Sequence, residues 1–321
     1  MAPIEAYRRL KEISLTIAYR LLIYLADFLE DIFWARRPKD LRLVEETSEV
    51  DHWDDETIWE RYCEAIEAER GLPESIDGLG YIQIHKITDN VVVKRTLGRT
   101  FDPPREALAM EFVRKHTSIP VPLVLRIVQT EKSEDEHFYV MDFVDGQQLR
   151  HVWPKLSIWG KLRVAWTLRS YIRQLRRINS TLSSVPGPLG DKPQICIGYI
   201  FEGKKRTSFP DLAALSAWFN AYVRCSRSRA GLPPTKYDPF HDCKRMVMTH
   251  MDLNMRNILV GKDGRIWIID WDWSEFYPEW FEYVSMFSAA NNNSGSKSWM
   301  RCIPFITDPC VEPMRWLEDF N

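Results

Sequence analysis

Apolar residues first recur at helical spacing within the run from Ile13 to Trp34, at Ile17, Leu21, Tyr24, Leu25 and Phe28. Arg20, Asp27, Glu30 and Asp31 interrupt that run, too many charges for a comfortable membrane span. A helix packed on the body of the protein is the expected reading, and a membrane-surface helix through residues 13–34 is the alternative. Residues 1 to about 70 thus predict helix, two amphipathic pieces joined by the acidic "VEETSEVDHWDDE".

From Tyr81 the period shortens to two. "YIQIHKI", the turn "TDN" and "VVVKR" predict a β-hairpin, and "PPREALAMEFVRKH" predicts a helix opened by its prolines. "IPVPLVLRIVQT" and "HFYVMDFV" predict two more strands, separated by the charged "EKSEDE". Two strands, a helix and further strands make a small antiparallel α+β lobe.

Beyond Gly146 the pattern returns to helix. "LRVAWTLRSYIRQLRRI" puts Ala165, Leu168, Ile172, Leu175 and Ile178 on one face. Arg163, Arg173 and Arg177 lie off that face and Arg169 and Arg176 near its border, which reads as a solvated arginine stripe. "SSVPGPLGDKPQICIGYIFEGKKRTSFP" reads as an extended loop and "SAANNNSGSKS" as a flexible one.

Composition narrows the class. The chain has 321 residues, 45% hydrophobic and 27% charged, with a formal net charge of −2. That is globular composition without general attraction to nucleic acid. Six scattered cysteines form no C-x-x-C pair or zinc-like spacing, as expected of reduced thiols in a cytoplasmic protein. The charged N-terminus does not read as a signal peptide.

The candidate chemistry lies in "MTHMDLNMRNILV" and "IWIIDWDW". A hairpin turning at Lys262, Asp263 and Gly264 returns Asp270 towards Asn257 and Asp252. Two carboxylates and a carboxamide at one mouth suit a hard cation such as Mg²⁺. His250-x-Asp252-x-x-x-x-Asn257 fits the H-x-D-x-x-x-x-N catalytic loop of phosphoryl transfer. In that pattern Asp252 is the base, and Asn257 and Asp270 hold metal. Lys94, at the end of "NVVVK", is the cation for the ATP phosphates. Its expected partner on the next helix is Glu106, with Glu111 as second candidate. Gly78 and Gly80 mark a glycine loop only poorly. In "YVMDFVDGQQL" the apolar strand ends at Met141, and backbone groups at Asp142 and Val144 are expected to meet an adenine edge.

"THMDLNMRNILV", "IIDWDWSEFYPEWFEY", "VVVKR", "EALAMEFVRKHTSIPVP" and "YVMDFVDGQQL" together resemble the aminoglycoside-phosphotransferase-like (choline kinase-like) kinases, particularly their fungal branch. The resemblance covers roughly residues 76 to 285. It implies an α+β, protein-kinase-like two-lobed fold: a small antiparallel β-sheet N-lobe, a mainly helical C-lobe and a helical N-terminal extension. The expected divisions are 1–75 for the extension, 76–143 for the nucleotide-binding lobe and 144–321 for the lobe with catalytic loop, metal site and acceptor site. It also implies ATP, Mg²⁺ and a small-molecule hydroxyl acceptor, with cofactor contacts at Lys94, Glu106, Met141, Asp142 and Val144.

Members of that family usually have glycine where Met251 stands, and often proline where Met255 stands. Acids and aromatics after Asp270, from Asp272 and Trp273 to Trp280 and Glu282, suggest either a cation-holding acceptor mouth or aromatic core with solvated acids. A kinase-shaped binding protein without catalysis is the competing reading. A protein kinase is disfavoured because Phe-Gly does not follow Asp270 and no Ala-Pro-Glu segment lies behind it.

Overall fold

A computed structural model describes residues 14–28, 48–73, 83–97, 104–128, 136–178, 185–187, 189, 194–201, 207–240, 245–292 and 295–318. Gly78, Gly80 and the expected extension outside 14–28 and 48–73 lie outside the described residues. In chain order the helices are α1 (residues 14–28), α2 (Asp55–Glu67), α3 (Arg105–His116), α4 (Leu149–Val152), α5 (Ile158–Arg177), α6 (Leu212–Arg229), α7 (Trp280–Asn292), α8 (Lys297–Thr307) and α9 (Val311–Glu318). The strands are β1 (Ile84–Lys86), β2 (Val91–Leu97), β3 (Val124–Val128), β4 (Glu136–Asp142), β5 (Gly146–Gln148), β6 (Met246–Thr249), β7 (Ile258–Gly261), β8 (Ile266–Ile268) and β9 (Glu275–Pro278). The α+β class holds: a small antiparallel sheet is followed along the chain by mainly helical structure.

The chain forms two compact units, residues 41–155 with 255–272, and residues 1–40 with 156–254 and 273–321. The first contains an antiparallel sheet in the order β1-β2-β4-β3, with Lys94 of β2 opposite Tyr139 of β4. The β-branched run "VVVKR" favours β2, and its valines are buried against neighbours on both sides of the sheet. Helix α2 starts at the N-cap Asp54, whose side chain accepts from the Thr57 N–H. Its Ile58, Tyr62 and Ala65 pack with Val93, Phe138 and Val140, so the acidic connector leads into a helix that belongs to the sheet's core. Arg126 on β3 ties the helix start down, donating to the Trp53 carbonyl at 2.5 Å and Asp55 Oδ1 at 3.2 Å. A second sheet, β5-β7-β8, contains the expected hairpin, with Ile258 opposite Ile268. The Ile268 N–H donates to the Pro120 carbonyl, joining that hairpin to the segment before β3.

The second unit is helical around the β6–β9 pair. Phe201, Phe219, Tyr277, Trp280 and Phe281 form a buried aromatic centre. The expected arginine stripe on α5 is corrected at Arg169, which is buried rather than solvated. Its guanidinium donates to Asp27 Oδ1 at 2.7 Å, the Phe305 carbonyl at 2.8 Å and Asp308 Oδ1 at 3.0 Å. Burying that cation is tolerable because each side of its fork meets an acceptor. The pairing also explains why an acid sits in the apolar first helix. The expected loop "SAANNNSGSKS" is corrected too, since α7 runs to Asn292 and α8 begins at Lys297, with Ser296 as its N-cap. Among the described residues no helix is long and apolar enough to cross a membrane.

Candidate active site

Lys94, Glu106, Asn257 and Asp270 all belong to the sheet unit. Strand β2 turns Lys94 inward, and the first turn of α3 supplies Glu106. Lys94 Nζ lies 2.6 Å from Glu106 Oε2 and 3.1 Å from Asp270 Oδ1. Lys94 and Glu106 are nearly fully buried, whereas the Asp270 side chain keeps 43% of its exposure and can still reach a ligand. Glu111, the second candidate for Lys94, is exposed.

A buried ammonium demands compensating charge. Burial alone would lower the Lys94 pKa, but the carboxylates of Asp270, Glu106 and Asp272 outweigh it and raise the pKa, so the amine stays protonated. The acids feel the same crowding. Burial pushes Glu106 up against the opposing pull of Lys94, and burial with the Asp270 charge pushes Asp272 up. The Tyr139 hydroxyl is buried beside Glu106 and raised by the same low-dielectric setting.

Asn257 and Asp270 lie at the same end of the β7–β8 hairpin, where the Ile269 N–H donates to the Asn257 carbonyl at 3.0 Å. Asp270 takes φ +65°, the left-handed region. Short acidic side chains tolerate that conformation better than bulky ones. Among the described residues no three His, Cys, Asp or Glu side chains form a metal cage. Asn257 and Asp270 instead offer carboxamide and carboxylate oxygens, a donor set that fits Mg²⁺ when water and phosphate oxygens complete its shell.

Met141 is buried in β4 opposite Val92 and Val124. The Asp142 N–H donates to the Leu123 carbonyl at 3.0 Å, so it is used within the protein rather than kept for an adenine edge. The expectation of an unused N–H there is corrected, because β4 keeps its pairing to its last residue. Val144 follows beyond the ladder.

Asp252 belongs to the helical unit, in the turn after β6. Its Oδ1 accepts from Asn254 Nδ2 at 2.8 Å, and its N–H donates to His250 Nδ1 at 3.2 Å. The loop is held from behind by Glu282 on α7, whose Oε2 accepts from the His250 N–H at 2.6 Å and the Met251 N–H at 3.5 Å. Burial drives the Glu282 pKa up to about 7, against those two N–H groups. Met251 itself takes φ +68°, and its side chain is fully buried, with Sδ 3.5 Å from Ser285 Oγ. Its methyl lies 3.1 Å from where a side chain on Gly198 would start, and Gly198 takes φ +115°. The position expected from the resemblance to be glycine is therefore one whose backbone geometry favours glycine.

The residues after Asp270 divide differently from either expectation. Tyr277 and Trp280 are core, as the second reading had it, but Glu275 and Glu282 are buried rather than solvated. The Tyr277 hydroxyl donates to Glu275. Tyr139, Asn254 and the loop-holding part of Glu282 were not singled out from the sequence. Strand pairing opposite Lys94 could have pointed to Tyr139; nothing local marks Glu282, which lies 32 residues from its partner.

A model of the phosphotransferase enzyme family matches residues 88–302. The chain belongs to that family. With the family comes the kinase-like α+β architecture expected above. Clavilactone A biosynthesis cluster protein Y of Ampulloclitocybe clavipes is 23% identical over 234 residues, 58% of this chain and 55% of that protein. The chain thus spans about half the length of this curated relative. Among solved structures, the GDP complex of aminoglycoside 2'-phosphotransferase-IIIa is 15% identical with a TM-score of 0.48, covering 81% of this chain and 86% of that one. APH(3'')-Id from Streptomyces rimosus is 13% identical with a TM-score of 0.46, covering 82% and 97%. A ternary complex of APH(4)-Ia with AMP-PNP and hygromycin B gives 15% identity and a TM-score of 0.41, covering 73% and 86%.

Proposed function

We propose that this phosphotransferase moves the γ-phosphate of ATP to a hydroxyl of a small molecule, with Asp252 as the base. The observation that carries the reading is the buried Lys94 ammonium held at 2.6 Å from Glu106 and 3.1 Å from Asp270. A cation buried at such cost, with one partner kept half exposed, suits a site built to receive a phosphate chain rather than a structural pair.

In this reading residues 76–143 handle nucleotide, and residues 144–321 carry the catalytic loop, metal ligands and acceptor site. Lys94 neutralises phosphate oxygens, and Glu106 fixes the direction of its ammonium. Met141, Asp142 and Val144 border the adenine. Asn257 and Asp270 hold Mg²⁺, which when bound offsets the charge developing on the phosphate oxygens. Asp252 accepts the proton of the acceptor hydroxyl as its oxygen bonds to the γ-phosphorus and the bond to the ADP oxygen breaks. Asn254 keeps the Asp252 carboxylate in one orientation.

A second reading, a nucleotide-binding protein with weak or no catalysis, is favoured by the left-handed Met251 beside Asp252. ATP consumption measured against amino alcohols, aminoglycosides and other hydroxylated metabolites separates the two. Acceptor-dependent turnover that disappears in Asp252→Ala supports the kinase. Nucleotide binding without turnover on any acceptor supports the second reading.

A further inference from the structure

Helix α1 is amphipathic in the unexpected direction. Its polar anchor, Asp27, faces the protein and pairs with Arg169 at 2.7 Å and Arg173 at 3.4 Å. Ile23 and Ala26 are buried on the same side, and the Tyr19 hydroxyl donates to the Arg301 carbonyl at 2.9 Å. The opposite face presents Ile17, Leu21, Tyr24, Leu25 and Phe28 to solvent, each more than half exposed. These positions recur every three or four residues, so they form one stripe, with the exposed Arg20 on its border.

A second exposed apolar run lies on α5, the helix that holds α1 through Asp27. Ile158, Trp159, Leu162 and Trp166 are exposed there, Trp159 at 80%. By helical spacing they lie on the face of α5 that further along carries Arg169 and Arg173, the partners of Asp27. Large apolar side chains exposed in runs of this kind, rather than singly, mark an interaction surface.

Charge identifies the occupant. Helices α5 and α8 contain no acidic residue, and the acid of α1, Asp27, is taken up by arginines. Arg20, Lys155, Arg163, Lys297 and Arg301 are exposed on or beside these helices. Among the described residues of α1, α5 and α8, the exposed charges beside the apolar stripe are thus cations, although the chain as a whole carries a net charge of −2. A second copy docked face to face would set the same cations against one another. Apolar and aromatic side chains flanked by lysine and arginine are what an anionic bilayer surface binds. We infer that α1 and the first half of α5 form a peripheral docking face for anionic lipid, with the aromatic rings entering the headgroup layer.

Flotation of the full chain with vesicles tests this. Phosphatidylcholine vesicles containing phosphatidylserine should carry at least about tenfold more protein than pure phosphatidylcholine, and added salt should erase the difference. Leu21→Glu with Trp159→Glu should abolish binding to both. Arg163→Glu with Arg301→Glu should remove only the preference for phosphatidylserine. All four positions are exposed, so circular dichroism should report unchanged folding. A chain that stays off anionic vesicles overturns the inference. If it then sediments as a dimer that Leu21→Glu with Trp159→Glu dissociates, the face belongs to a second copy. If it sediments as a monomer, the stripe has no lipid role.

Discussion

Lys94 and Asp252 are both buried charges, yet they are fixed by opposite means. In the sheet unit Lys94 is held by side chains of opposite sign, Glu106 and Asp270. In the helical unit Asp252 is held by a neutral amide from Asn254, in a loop whose N–H groups are gathered by the buried Glu282. The first arrangement stores its order in electrostatics and fails when one partner is removed. The second stores it in the geometry of the loop, where Asn254 fixes one carboxylate oxygen of Asp252. A fixed orientation is what the proposed proton acceptor requires.

The contrast is sharpest in Asp252→Asn, where the amide keeps the shape and removes the proposed base. Turnover with a productive acceptor should fall by about 10³-fold or more. The urea midpoint should move little. A large loss of stability with partial activity would give Asp252 a structural role instead.

Lys94→Met should behave in the reverse manner. It leaves Glu106 and Asp272 crowded without their cation, at a cost of about 3–5 kcal/mol in urea unfolding. Adding Glu106→Leu should restore much of that stability while nucleotide affinity stays lost. Recovery of affinity in the double variant would show that the charge pair serves only the fold.

Glu282 offers a pH test of the loop. Its ordinary value of 4.5 is raised to about 7 in the folded chain. Between those values the unfolded chain has released this proton and the folded chain retains it, so stability should fall as pH rises through the window. The loss is on the order of 3 kcal/mol and complete above pH about 7. Glu282→Gln should flatten that slope in urea titrations taken at several pH values; an unchanged slope would assign it to other groups.

The smallest effect concerns Met251. Replacing a buried methionine costs stability in either case, but at φ +68° glycine is relieved of strain that alanine keeps. Met251→Gly should therefore be more stable than Met251→Ala by about 1 kcal/mol, the reverse of their usual order. Equal stabilities would mean the loop relaxes when the side chain is removed.

Period and motif made the sheet unit legible. "VVVKR", "EALAMEF" and the "KDG" turn each specify their element locally, and the Lys94–Glu106 pair follows from a strand leading into a helix. The order His250, Asp252, Asn257, Asp270 was legible for the same reason. What stayed hidden depends on distant partners. Arg169 looked like a solvated arginine because Asp27 lies 142 residues away. Glu282 looked like one of several surface acids because its partners are backbone N–H groups, which sequence does not distinguish. The Asp142 N–H looked unused because the Leu123 carbonyl that receives it belongs to a neighbouring segment. Where polar residues are satisfied by local motifs the sequence is informative, and where tertiary contacts satisfy them it is not.

Calorimetric titration with ATP, with and without Mg²⁺, needs no knowledge of the acceptor and reaches the phosphate-handling assignment most directly. The wild-type chain should bind ATP more tightly when Mg²⁺ is present, and Asp270→Asn should lose that gain while retaining metal-free binding through Lys94. No ATP binding by the folded wild type, or an undiminished Mg²⁺ effect in Asp270→Asn, would contradict it.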